Sequence, residues 1–75
     1  MKEENTNMRY KNFVIDVKPR SLRDGSEWTT HFALYHDHGN QMEPIANVHM
    51  GNRCKNEEEA TKAGIREAMR LADQQ

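Results

Sequence analysis

The chain has 75 residues, 35% of them hydrophobic, and a net charge of −1 from 11 basic and 12 acidic side chains. That length bounds it to one domain with one thin core, and the charge balance excludes the broad positive excess of a general polyanion binder. A lone cysteine, Cys54, excludes an internal disulfide and fits a reducing compartment. No apolar run reaches the length of a membrane span, and the opening MKEENTNM lacks the apolar segment of a secretory signal. A soluble, cytoplasmic protein is the expectation.

Met1 to Met8 is polar and without periodicity, so residues 1–9 read as a flexible tail and residues 10–75 as a single domain. Tyr10 to Lys18 reads as the first strand, with Phe13, Ile15 and Val17 alternating with Val14, Asp16 and Lys18. Pro19, which has no amide to donate, is expected to end it. Arg20 to Ser26 is a loop with a turn at Asp24-Gly25. Glu27 to Asp37 is the second and longest strand. Trp28, Thr30, Phe32 and Leu34 share its more apolar face, and Thr29, His31, Ala33 and Tyr35 the other. His38 to Gln41 is a turn with Gly39-Asn40 at its tip. Glu43 to Met50 is the third strand, with Pro44 near its start. Its core face is Ala46, Val48 and Met50, which leaves Ile45, Asn47 and His49 on the open face.

Asn56 to Gln75 is one amphipathic helix. Asn56 is a good N-cap and Glu59 completes a capping-box pattern. Glu57, Glu58 and Glu59 oppose the positive end of the helix dipole. Ala60, Gly64, Ile65, Ala68, Met69, Leu71 and Ala72 fall on one half of the wheel, and Lys62, Arg66, Glu67, Arg70 and Asp73 on the other. Glu67 and Arg70, three apart, are a surface pair. The predicted fold is α+β: a three-stranded antiparallel meander packed on one C-terminal helix, β-β-β-α. The predicted core is Phe13, Ile15, Val17, Trp28, Phe32, Leu34, Val48, Ile65, Ala68 and Leu71.

One helix covers one face of a sheet. The open face is expected to carry Tyr10, Val14, Asp16, Thr29, His31, Ala33, Tyr35, Ile45, Asn47 and His49. It can stay wet, add burial by self-association, or bind a ligand, since Tyr and His can stack on bases. Lys18, Arg20 and Arg23, with Lys11, would gather at one end of the sheet and dock an anionic partner with strong salt dependence.

The order Tyr10-Lys11-Asn12-Phe13, then Glu27-Trp28, then Gly51-Asn52-Arg53-Cys54-Lys55-Asn56-Glu57-Glu58-Glu59-Ala60 resembles the AP2/integrase-type DNA-binding domain, a three-stranded sheet backed by one helix. In that family strand arginines and a tryptophan on the open face read the major groove. This chain has no arginine between Arg23 and Arg53, so the resemblance implies a nucleic-acid surface made of Tyr10, Lys18, Arg20, Arg23, His31 and Tyr35. Ala60-Thr61-Lys62-Ala63 is similar to the final helix of a double-stranded-RNA-binding domain, although Glu57, Glu58 and Glu59 stand where that family places lysines. The Tyr-Lys-x-aromatic strand and Glu-Glu-Ala helix start also resemble small bacterial domains of unknown function, a likeness that implies no activity.

His36-Asp37-His38 is the most chemical-looking triplet. Histidines two apart on a strand share a face, and Cys54 would be the third ligand of a zinc set. Without a second spaced ligand pair the triplet reads first as a polar strand end. Cys54, between Arg53 and Lys55 near a helix start, has neighbours that favour a thiolate. The preferred reading is nonetheless a half-buried residue closing the core before the cap. No nucleophile elbow, phosphate-binding glycine loop or paired-carboxylate motif is present. The reading is therefore a non-enzymatic interaction module without a cofactor, acting on a protein partner or on itself through the open face (Tyr10, Lys18, Arg20, Arg23, His31, Tyr35 and His49). A nucleic-acid-binding domain is the alternative, and a metal-binding or redox-active protein the second.

Overall fold

The structure is a computed structural model that describes residues 6–23 and 25–75. Four strands form one antiparallel sheet in the order β1-β2-β3-β4, and one helix follows. The elements are β1 (Thr6–Tyr10), β2 (Phe13–Leu22), β3 (Glu27–Asp37), β4 (Met42–His49) and α1 (Glu57–Asp73). The α+β class and the helix match the sequence reading, but the sheet has one strand more than expected. Residues 6–9, read as part of a tail, belong to that strand; residues 1–5 of the expected tail lie outside the described residues.

β1 pairs with β2 from Thr6↔Val17 to Tyr10↔Phe13. This register puts Met8 and Tyr10 on the helix side, where both pack against the core. Tyr10 is therefore not on the open face. The Tyr10 hydroxyl donates to Asp73 Oδ1 at 2.9 Å near the end of α1. Asp73 also holds Lys11 Nζ at 2.9 Å. Lys11 thus lies at the end of the sheet opposite Arg23, not with the other cations.

β2 runs through Pro19 instead of stopping there. Pro19 faces Thr30, and both backbone groups of Thr30 turn the other way. Its amide donates to Asn52 Oδ1 at 3.1 Å, and its carbonyl accepts from the Met50 amide at 2.9 Å. The Pro19–Thr30 pair therefore asks for no ladder bond on the β3 side. The missing N–H costs the pairing with β3 nothing at such a position.

The centre of the sheet builds the core. Ile15, Val17, Phe32, Leu34, Ala60 and Ala68 are fully buried, and Phe13 and Ala72 nearly so. Each of the large four contributes of order 1.5–3 kcal/mol relative to exposure. Val48, Ile65 and Leu71 pack against them half-buried. Trp28, expected in the core, is half-buried and sits beyond the cluster, at the β2–β3 loop end. There it bridges to Cys54, each amide donating to the other's carbonyl at 2.9 and 2.8 Å.

A β-bulge shifts the β3–β4 register, with Leu34↔Ala46 followed by Tyr35↔Pro44. The extra residue is Ile45, which packs against the core beside Ala46. A bulge places two consecutive residues opposite one and re-aims the side chain. Strict alternation had put Ile45 on the open face.

α1 is capped as expected at its start. Asn56 Oδ1 accepts from the Glu59 amide at 2.9 Å. The reciprocal half of the box is displaced by one residue, because Glu59 Oε1 accepts from the Lys55 amide at 3.2 Å. Ala60, Gly64, Ala68 and Ala72 form the buried stripe, and small side chains at this spacing let the helix lie close to the sheet. The approach is close at Gly64, where a Cβ would fall 2.6 Å from Thr30 Cγ2 and 2.9 Å from Val17 Cγ1. Thr30 is buried and donates from Oγ1 to the Ala60 carbonyl at 2.7 Å. Asn52 Nδ2 donates to the same hydroxyl at 3.1 Å. Beyond the end of β4, the Asn52 side chain thus stands where a pairing strand would.

Candidate functional site

The face away from α1 is uncovered among the described residues. Cross-strand register arranges it in rows. One row is Arg9, Val14, Tyr35 and Pro44. The next is Asn7, Asp16, Ala33 and Asn47. Then come Lys18, His31 and His49, and finally Arg20 and Thr29. Five of the sequence-predicted site residues therefore do share this face: Lys18, Arg20, His31, Tyr35 and His49. Tyr10 does not, as described above. Arg23 lies in the β2–β3 loop with φ 54°, past the end of the strand.

The face has an apolar centre. Ala33 is 6% exposed, sheltered between Asp16 and Asn47 in its row, and Val14 and Tyr35 are half-buried beside it. His31 and His49 stack at a centroid distance of 4.0 Å with planes 9° apart. His31 Nε2 also meets Asn47 Oδ1, which fixes that ring within the sheet surface.

Charges on the face are largely answered internally. Arg9 Nη1 donates to Asp37 Oδ2 at 2.7 Å, and Lys18 Nζ lies 4.0 Å from Asp16 Oδ2. The Asp37 carboxyl is held below the usual carboxylate range. The Gly39 backbone N–H is the main cause, followed by the hydrogen bond from Arg9. The balance leaves little unpaired positive charge at the centre of the face for a phosphate backbone.

The second candidate lies at the opposite side, where β3 runs into its turn. His36 and His38 do come together, but their third neighbour is Glu43. His38 Nε2 is 2.8 Å from Glu43 Oε1, and His36 Nδ1 is 3.9 Å from the same oxygen. The hydrogen bond from His38 holds the Glu43 carboxyl below its ordinary value. Cys54, expected to join the histidines, faces Trp28 instead. Trp28 and His36 are eight residues apart on one strand, about 26 Å. Cys54 is half-buried, and its Sγ accepts from Asn52 Nδ2 at 3.3 Å. Glu43 escaped the sequence reading because only the β3–β4 register sets it opposite His36.

No described helix is long and apolar enough to cross a membrane. Comparison of the chain with protein-family models, with characterised proteins and with solved structures finds no match, so the functional reading stands on the geometry.

Proposed function

We propose that the protein is a non-enzymatic interaction module that associates with a second copy of itself through the open sheet face. The observation that supports this is the composition of that face: an apolar centre of Val14, Ala33 and Tyr35 with its ion pairs closed internally. An apolar centre whose neighbouring charges are paired suits a like surface better than it suits a polyanion. Four strands about 4.8 Å apart and some 20–25 Å of length give a footprint of roughly 400–500 Å² per copy. That is small for a stable dimer, so association depends on concentration. A core this thin gains from the added burial.

The test is sedimentation of the native chain and of a Val14→Lys/Tyr35→Lys variant across a range of concentrations. The native mass rises from 8.8 kDa toward twice that value, and the variant stays at the lower one. Arg66→Glu, on the exposed side of α1, leaves the association intact. A native chain that remains monomeric throughout would overturn the reading. A duplex-DNA titration separates the nucleic-acid alternative, which rests on Lys18, Arg20 and Arg23. Amide shifts clustered on Lys18 to Thr29 that fade with salt would put that alternative in its place.

A further inference from the structure

We propose that His36, His38 and Glu43 form a binding site for a divalent transition-metal ion of the zinc type. The three residues offer two imidazole nitrogens and a carboxylate oxygen, all within 4.8 Å of one another. A tetrahedral zinc with bonds near 2.0–2.1 Å holds its ligand atoms about 3.3–3.4 Å apart. The two distances to Glu43 Oε1, 2.8 and 3.9 Å, bracket that spacing. The full set spans up to 4.8 Å, so it must tighten around the ion, and the exposed side chains of His38 and Glu43 are the ones free to move.

An ordinary histidine–carboxylate pair accounts for only part of this geometry. His38 and Glu43 at 2.8 Å form such a pair. His36 Nδ1 lies 3.9 Å from the same oxygen, too far for a hydrogen bond. A cation seated between the three groups would engage all of them at once.

The fold holds each ligand in place. His36 and Glu43 are cross-strand partners in the β3–β4 register. The His36 ring lies on Phe13, with centroids 5.0 Å apart and planes at 26°, so a core residue fixes its orientation. His38 follows by two residues and opens the turn, its amide donating to the Gln41 carbonyl at 2.9 Å. Asp37 Oδ1 accepts from the Gly39 amide at 2.8 Å, and Gly39 takes φ 91°. The turn that carries His38 is thereby set from the strand side. His38 and Glu43 are exposed, which leaves the outer coordination positions to water.

The donor set selects the class of ion. Two imidazoles with one carboxylate suit zinc and neighbouring first-row ions. Magnesium and calcium favour oxygen-only shells. The site lies at the turn end of the sheet and is separate from the open-face surface, so either can fail without the other.

The experiment is a titration of the native chain with zinc chloride at neutral pH, read by calorimetry and by imidazole ¹⁵N NMR. One ion binds per chain, and the resonances of His36 Nδ1 and His38 Nε2 move while those of His31 and His49 stay. At free zinc about 100-fold above Kd, Tm rises by about 10 °C or more. His36→Gln, His38→Gln and Glu43→Gln each weaken binding by roughly tenfold or more, and His49→Gln does not. The native-chain NMR shifts carry the test if a variant is poorly folded. No binding, a response centred on His31 and His49, or binding that survives His36→Gln/His38→Gln would overturn the proposal.

Discussion

Substituting Gly64 by alanine sets two sizeable effects against each other. Alanine in a helix interior is worth about 1 kcal/mol over glycine, so propensity alone predicts a more stable protein. The structure predicts the reverse. The new methyl would lie 2.6 Å from Thr30 Cγ2 and 2.9 Å from Val17 Cγ1, and both are fixed in the fully buried layer between helix and sheet. Overpacking of this kind costs about 1–3 kcal/mol. Thr30 cannot swing aside cheaply, because its hydroxyl serves the Ala60 carbonyl and the Asn52 amide. Giving up those buried bonds costs a further 1–3 kcal/mol or so. Set against the helix gain, the sum is a loss of about 1–5 kcal/mol. For a chain of this size that is a fall in Tm of at least roughly 4 °C, read by circular dichroism on heating and checked by urea titration. Thr30→Ser removes the nearer methyl and keeps the hydroxyl. In that background Gly64→Ala should cost about 1 kcal/mol less, a coupling typical of residues in contact. A rise in Tm on Gly64→Ala alone would refute the close-approach argument.

Thr30→Val keeps the shape but leaves Asn52 Nδ2 without that acceptor and Ala60 without that donor; thermal melts should show a loss of about 1–3 kcal/mol. Arg23 takes φ 54°, a conformation that costs an L-residue about 1–2 kcal/mol. Arg23→Gly relieves it, less about 1 kcal/mol for the freer unfolded chain, so chemical denaturation should find the variant no less stable than the parent and at best about 1 kcal/mol more so. Asp37, Glu43, Glu67 and Asp73 all have depressed carboxyl pKa values. A depressed pKa gives stability that is fully present above the unfolded value and is lost as pH falls through the folded one. Tm should therefore be flat with respect to these groups near neutrality and fall from the ordinary carboxylate values of 3.8–4.5 downward; a loss centred at pH 6 would point to other groups.

The sequence exposes some parts of this fold and hides others for identifiable reasons. The β3 boundaries, the helix with its Asn56 cap and the buried run Phe13, Ile15 and Val17 follow from apolar period and capping chemistry, which are local. β1 is hidden because Thr6–Tyr10 carries only Met8 and Tyr10 as apolar signals, and its pairing to β2 is a tertiary matter. Pro19 misleads because its cost depends on which way the facing Thr30 directs its backbone groups. Ile45 misleads because a bulge breaks the two-residue period. Most of the open-face set was legible as alternation, but Tyr10 moved to the helix side because it lies in β1, ahead of the Lys11-Asn12 turn, rather than at the start of the next strand. The approach of Glu43 to the histidine pair, and the distance of Cys54 from it, are set by register and strand length, neither of which a single sequence prints.

An NMR dilution series tests association through the open face most directly. Amide spectra of the native chain at successively lower concentrations should show progressive shifts at Val14, Ala33, Tyr35 and Asn47, with the amides of Gly64 and Ala68 unmoved. Spectra that do not change with concentration, from a species of 8.8 kDa, would contradict self-association through this face.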